Sequence, residues 1–165
     1  MTLGVAIVGA GGIAAAHIDA VLTDAEGPDP ALRLAGLVSR SGGRASAFAD
    51  LAAARQGTRP WVTAALQDAL DRDDADLVVV CTESGDHANT ALVVIEAGRH
   101  LLIEKPLATR LADARRLDDA VRASAFRHPD RVVSVVSQRR FAPATAELVA
   151  AVAAGHLGRI TSRRF

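Results

Sequence analysis

Short aliphatic runs alternate along this chain with Ala-rich stretches of helical period, and that alternation narrows the fold more than any other feature. The runs Leu3–Val8, Leu32–Val38, Leu77–Cys81 and His100–Ile103 are too short for buried helices. They carry apolar residues at successive positions, as strands do when both faces of a parallel sheet are covered. Stretches near 13–22, 43–55 and 90–97 fit amphipathic helices, and so does one carrying Leu111, Ala114, Leu117 and Val121 on one face. Strand followed by helix, repeated, predicts an α/β fold: a doubly wound, mostly parallel sheet with helices on both faces. Only 3% of residues are aromatic against 50% hydrophobic overall, so the core must be built from Ala, Val, Leu and Ile.

Smaller signals complete the outline. A short strand is expected at Trp61-Val62, a short helix over 64–70, and a further strand over 131–137. Gly98 suits the left-handed position that ends a helix, Thr109 suits an N-cap, and Pro143 suits the first turn of a last helix closed by Gly155. The final stretch, Ile160–Phe165, looks like a strand just beginning, which predicts a first domain over 1–141 and, over 142–165, a linking helix and the start of a truncated or absent α+β domain.

Lys+Arg and Asp+Glu are both 19, so no net field draws the chain to nucleic acid or to an anionic membrane. The N-terminus has no basic leader pattern, and no apolar run is long enough to span a bilayer, so a cytoplasmic protein is expected. One cysteine, Cys81, excludes an intrachain disulfide, and no metal site is expected.

The chemistry begins at Gly9-Ala10-Gly11-Gly12-Ile13-Ala14, a G-x-G-x-x-A placed directly after a strand and directly before a helix. Gly9 allows a sharp turn, Gly11 lets a pyrophosphate approach the backbone, and Ala14 lets helix and strand pack closely. Gly12 and Ile13 then open a helix whose free amides face phosphate oxygens. This is the order of elements in a Rossmann-type dinucleotide-binding site. No Gly-Lys-Ser/Thr follows, which excludes a P-loop.

At the end of the second strand, where an NAD site places an acid on the adenosine ribose, the chain reads Ser39-Arg40-Ser41. A hydroxyl and a guanidinium suit a 2′-phosphate, so NADP(H) is preferred and NAD(H) is the alternative. In a second reading Arg40 is solvated or stacks on adenine with either cofactor. The missing acid also argues against a methyltransferase-like site.

Glu104-Lys105-Pro106 follows the strand His100–Ile103 at the carboxyl edge, where open α/β sheets bind ligands. Lys-Pro can turn the chain so that the ammonium lies over the crevice, with an exposed Glu-Lys ion pair as the alternative. His17, His100, His128 and His156 fall on a helix, at a strand entry or in loops away from that edge, and are expected in core, surface or capping roles. Arg139 and Arg140 divide evenly between reaching substrate and being solvated.

With these motifs the chain resembles the glucose-fructose oxidoreductase, inositol dehydrogenase and rhizopine-catabolism family, Gfo/Idh/MocA. The likeness rests on the Gly9–Ala14 turn, Cys81-Thr82-Glu83-Ser84-Gly85-Asp86-His87, and Ala97-Gly98-Arg99-His100 leading to Glu104-Lys105-Pro106-Leu107-Ala108. Gln138-Arg139-Arg140-Phe141 before Pro143 completes it. The resemblance implies a cofactor over Gly11–Ala14, its ribose phosphate near Ser39 and Arg40, and its nicotinamide half bordered by Thr82, Ser84, His87, Glu104, Lys105 and Gln138.

It also implies hydride transfer to or from a carbinol carbon of a sugar, polyol or similar small molecule, with Lys105 as the catalytic residue that orients the reacting oxygen. Glu83 stands where the family commonly has proline, which loosens the expected loop. The family's principal acid/base residues and its dimer contact lie in a second domain, so this chain alone is expected to be inactive and any homo-oligomer to form through that domain. The alternative is a non-catalytic NAD(P)-binding or sensor fragment.

Overall fold

A computed structural model describes residues 2–159 and 161; the expected terminal strand over 160–165 lies outside the described residues apart from 161. Contacts divide the chain into a unit over 1–135 and a second over 136–165, whereas the sequence reading places the division after 141.

The first unit is built on six parallel strands: β1 (Leu3–Val8), β2 (Leu32–Val38), β3 (Trp61–Thr63), β4 (Leu77–Val80), β5 (His100–Ile103) and β6 (Val133–Val135). Their order across the sheet is β3-β2-β1-β4-β5-β6, so the chain winds outward from β1 in one direction and then returns to wind outward in the other. The carboxyl ends of β1 and β4 therefore meet at the reversal, where a crevice opens.

Five helices cover the sheet: α1 (Gly12–Ala25), α2 (Gly42–Gln56), α3 (Leu66–Leu70), α4 (His87–Glu96) and α5 (Leu111–Arg127). Alternation along β1 shows how the two layers divide. Val5 and Ile7 pack with Ala14, Ile18 and Leu22 of α1 and Ala45, Ala49 and Ala52 of α2. Ala6 and Val8 face the other way, into the cluster with Ala91, Val94 and Ile95 of α4 and Leu117 of α5. The three alanines of α2 are fully buried and let that helix lie close to the sheet. Each fully buried Val, Leu or Ile contributes about 1.5–3 kcal/mol.

The β1–β2 register skips Ala35, with Val5 opposite Leu34 and Ala6 opposite Gly36. Gln56 patches the irregularity: its Oε1 accepts the Leu34 N–H at 3.1 Å and its Nε2 donates to the Leu34 carbonyl at 2.8 Å.

Two expectations are corrected. Arg110, in extended conformation, is the N-cap of α5, and no side chain caps that helix, so Thr109 lies one residue too early. The strand expected over 131–137 is only three residues long, because the chain turns into a 3₁₀ segment at Gln138–Phe141. Gly98 ends α4 with φ +68°, as expected of a left-handed terminator. In the second unit that 3₁₀ segment precedes α6 (Pro143–Ala153), with Pro143 in its first turn. Among the described residues no helix is long and apolar enough to cross a membrane.

Candidate functional site

Gly9 makes the site. Its φ is +104°, and a Cβ there would lie 2.5 Å from the Cys81 carbonyl oxygen, so the turn fits only a residue without a side chain. Its N–H donates to Val38 O at 2.8 Å, while the Cys81 N–H donates to Val8 O at 2.8 Å, so the turn is pinned between the ends of β2 and β4. The chain then enters α1 at Gly12 with Gly11 as N-cap; no side chain caps the helix, and no acid stands in its first turn. The first amides of α1 are left to whatever occupies the crevice.

That crevice is a cleft of about 830 Å³. It is lined by Gly9–Ile13, by Val38–Ser41 at the end of β2, by Arg44, and by Cys81–Glu83, Asp86 and Thr90 beyond β4. A Cβ at Gly11 or Gly12 would meet no protein atom within 4 Å, so the space above the turn is free for a ligand. Thr82 Oγ1 is buried and has no hydrogen-bond partner among the described residues. A buried hydroxyl left unpaired costs about 1–3 kcal/mol, which makes this atom conspicuous beside an open cleft.

Thr82→Val is therefore expected to act with two signs. Without ligand the protein gains about 1 kcal/mol and unfolds a few degrees higher, because the unpaired hydroxyl is gone. Dinucleotide affinity falls about tenfold, the size of one good hydrogen bond. Thermal unfolding and calorimetric titration read both; a lower unfolding temperature would show that the hydroxyl is satisfied in the free protein.

At the β2 end, Ser39 Oγ and Ser41 Oγ lie 3.1 Å apart and Arg40 is exposed. Arg44, which sequence reasoning missed, lines the same end and donates from its guanidinium to Ala10 O at 3.2 Å. A signal was available: Arg44 stands in the first turn of α2, where the helix dipole disfavours a cation unless an anion is to be held there.

Val80 pairs with Ile103, so Cys81 and Glu104 directly follow the last paired positions of β4 and β5, and the Glu104 N–H donates to Val80 O at 3.0 Å. Glu104 is buried at 4% exposure. The expected alternative, an exposed Glu104–Lys105 ion pair, is overturned, since Glu104 Oε1 instead lies 2.9 Å from His17 Nε2. This also corrects the placement of His17 away from the carboxyl edge. Ala14 and His17 are three residues apart on α1, so the helical period carries the imidazole onto the face that packs on the sheet.

Glu104 Oε2 accepts the Lys105 N–H at 3.0 Å. Lys105 itself is exposed, and the Lys105–Pro106 bond is cis. Burial pushes the Cys81 thiol up to about 12, and the negative charge of Glu104 adds to the shift. Cys81 stays a neutral thiol near neutral pH, so no second negative charge develops beside Glu104.

The remaining sequence-derived positions fall as follows. Ala14 is fully buried beneath the helix start. Ser84 is exposed in the loop after β4. His87, expected at the cofactor, is 2% exposed, with Nδ1 2.8 Å from Pro106 O and Nε2 2.9 Å from Thr82 O. Both ring nitrogens are turned to backbone carbonyls, so His87 ties the loop after β4 to the loop after β5. Gln138 opens the 3₁₀ segment of the second unit.

The fold and the glycine turn define a dinucleotide-binding domain, and comparison with known proteins agrees. Residues 3–127 match the oxidoreductase family with an NAD-binding Rossmann fold, Gfo/Idh/MocA. The chain belongs to this family and is its NAD-binding domain. It is 32% identical over 167 aligned positions to an inositol 2-dehydrogenase of Gluconacetobacter diazotrophicus, an alignment covering 97% of this chain and 44% of that protein.

Among solved structures it is similar to the WlbA dehydrogenase of Bordetella pertussis in complex with NADH and UDP-GlcNAcA. That match has TM-score 0.76 and 30% identity, covering 97% of this chain and 45% of the other. The scyllo-inositol dehydrogenase of Lactobacillus casei, with bound NAD(H) and scyllo-inositol, shares the fold at TM-score 0.79 and 22% identity, over 98% and 44% of the two chains. The chain thus spans under half the length of these relatives.

Proposed function

We propose that this chain is the cofactor half of a dehydrogenase that passes a hydride between a nicotinamide and a carbinol carbon of a polyol, sugar or related small molecule. The observation that carries the reading is the cleft itself, with an uncapped helix start, open space above Gly11 and Gly12, and the unpaired Thr82 hydroxyl beside them. These features fit a dinucleotide. The amides of α1 would hold the pyrophosphate, and Thr82 would donate to or accept from the nicotinamide half.

When bound, the nicotinamide supplies the hydride chemistry; the chain supplies orientation and charge. Lys105, exposed at the carboxyl edge just beyond β5, would donate from its ammonium to the reacting oxygen, orienting it and stabilising the negative charge it carries in the alkoxide that gives or receives the hydride. Cys81 remains protonated and takes no part. The NADH and NAD(H) held by the two solved relatives support a nicotinamide cofactor, and their sugar-nucleotide and inositol ligands support the substrate class.

The preference for NADP(H) over NAD(H) rests on this chain's own residues. Arg40 and Arg44 line the cleft beyond β2 with Ser39 and Ser41, and no acid stands among them to contact ribose hydroxyls. Calorimetric titration with NADPH and NADH at one fixed salt concentration tests it. NADPH is expected to bind about tenfold tighter, and Arg40→Ala to remove that advantage while leaving NADH unchanged. Tighter NADH binding would withdraw the phosphate contact and keep the cofactor class. Binding of neither would overturn the dinucleotide reading for the isolated chain.

A further inference from the structure

We propose that His17 is a positioning residue for Lys105, acting through Glu104. The inference rests on the reading of Lys105 as the group that faces nicotinamide and substrate. Glu104 is a buried acid at the end of β5, and each of its oxygens has a distinct partner: His17 Nε2 at 2.9 Å and the Lys105 amide at 3.0 Å. A carboxylate can only accept, so the hydrogen lies on Nε2 and both contacts are charge-assisted.

Their geometry matters because the two donors come from different parts of the site. His17 rides on α1, about 7.5 Å along the axis from the glycine that opens the helix. The Lys105 amide belongs to the loop that presents the ammonium. Glu104 cannot rotate without losing one donor or the other, so the backbone at Lys105 is fixed relative to the helix whose first turn lines the cleft. A side chain on another element thereby sets where the ammonium stands. His17 is 18% exposed at its side chain and Glu104 only 5%, so water competes little for this contact.

The test combines amide hydrogen exchange at Lys105, measured without cofactor, with titration by NADH and by ADP-ribose, which lacks the nicotinamide ring. His17→Ala is expected to speed exchange of the Lys105 amide about tenfold and to weaken NADH binding about tenfold, roughly one charge-assisted hydrogen bond. ADP-ribose affinity should stay within about twofold. His17→Gln keeps an N–H donor and should restore both quantities. Lys105→Ala should also weaken NADH, and the double variant His17→Ala/Lys105→Ala should bind it no worse than Lys105→Ala alone.

Unchanged exchange at Lys105 in His17→Ala would overturn the proposal whatever the cofactor does. So would additive losses in the double variant, which would make His17 independent of Lys105. Equal loss of ADP-ribose would also overturn it, since the defect would then lie in the packing of α1. Should His17→Ala not fold, His17→Leu takes its place, because it fills similar space and offers no donor to Glu104; unaltered exchange there overturns the proposal equally. If the wild type binds neither nucleotide, the dinucleotide reading fails, while the exchange comparison still decides the role of His17.

Discussion

Gly9→Val is expected to destabilise the domain by about 3 kcal/mol or more and to lower NADH affinity at least about a hundredfold. Two costs add. The backbone at Gly9 sits at φ +104°, which a β-branched residue adopts only under strain, and the new Cβ would lie 2.5 Å from the Cys81 carbonyl oxygen. Neither neighbour can yield cheaply. Gly9 N–H is bonded to Val38 O and Cys81 N–H to Val8 O, so relief must shift the ends of β2 or β4, which are themselves walls of the cleft.

Gly12→Ala is the control. A Cβ there meets nothing within 4 Å, so stability should hold or rise slightly through the loss of glycine's freedom in the unfolded chain. Thermal unfolding of the two variants separates turn geometry from mere loss of a glycine. A Gly9→Val protein that melts with the wild type would show that the turn is not the constraint described.

Lys105→Met is expected to lower kcat for a polyol or sugar substrate about 10²–10³-fold, the usual worth of one donor that stabilises charge on a reacting oxygen, while ADP-ribose still binds as in the wild type. Because the chain spans under half the length of its relatives, turnover is to be measured with the uncovered part of such a relative fused to it. Methionine keeps the length and apolar body of lysine and removes only the ammonium. A loss in KM alone, with kcat intact, would mean that Lys105 binds ground state and transition state equally and does not promote the chemistry. The effect should exceed that of His17→Ala, which leaves the ammonium present but less firmly placed.

The sheet was legible in the sequence because its strands are buried on both faces. Leu3–Val8, Leu32–Val38 and His100–Ile103 are mostly aliphatic runs, broken only by Gly4, Arg33, Gly36 and the leading His100, and their observed limits are those the runs suggest. Where the signal was weaker the limits moved. The stretch over 131–137 kept only Val133–Val135, since an edge strand has one neighbour to hold it, and α4 began at His87, three residues before the apolar period becomes visible.

The glycine turn, Ser39-Arg40 and Lys105 could be read as parts of a site because each stands at the carboxyl end of a recognisable strand. Arg44 carried only the weak signal of a cation in a helix's first turn, and what makes it part of the site is the approach of α2 to Ala10, a contact between residues 34 apart in sequence.

By itself, then, the sequence determined the strand–turn–helix units, the all-aliphatic core and the glycine turn, because these depend on local periodicity and on backbone freedom at single positions. Only the tertiary structure decided that His17 meets Glu104 across 87 residues, that His87 spans two loops instead of facing the cleft, and that Thr82 Oγ1 has no partner. Each of those facts depends on which strands become neighbours. A polar side chain acquires its role from the partner that parallel pairing brings beside it, and no pattern along the chain encodes that distance.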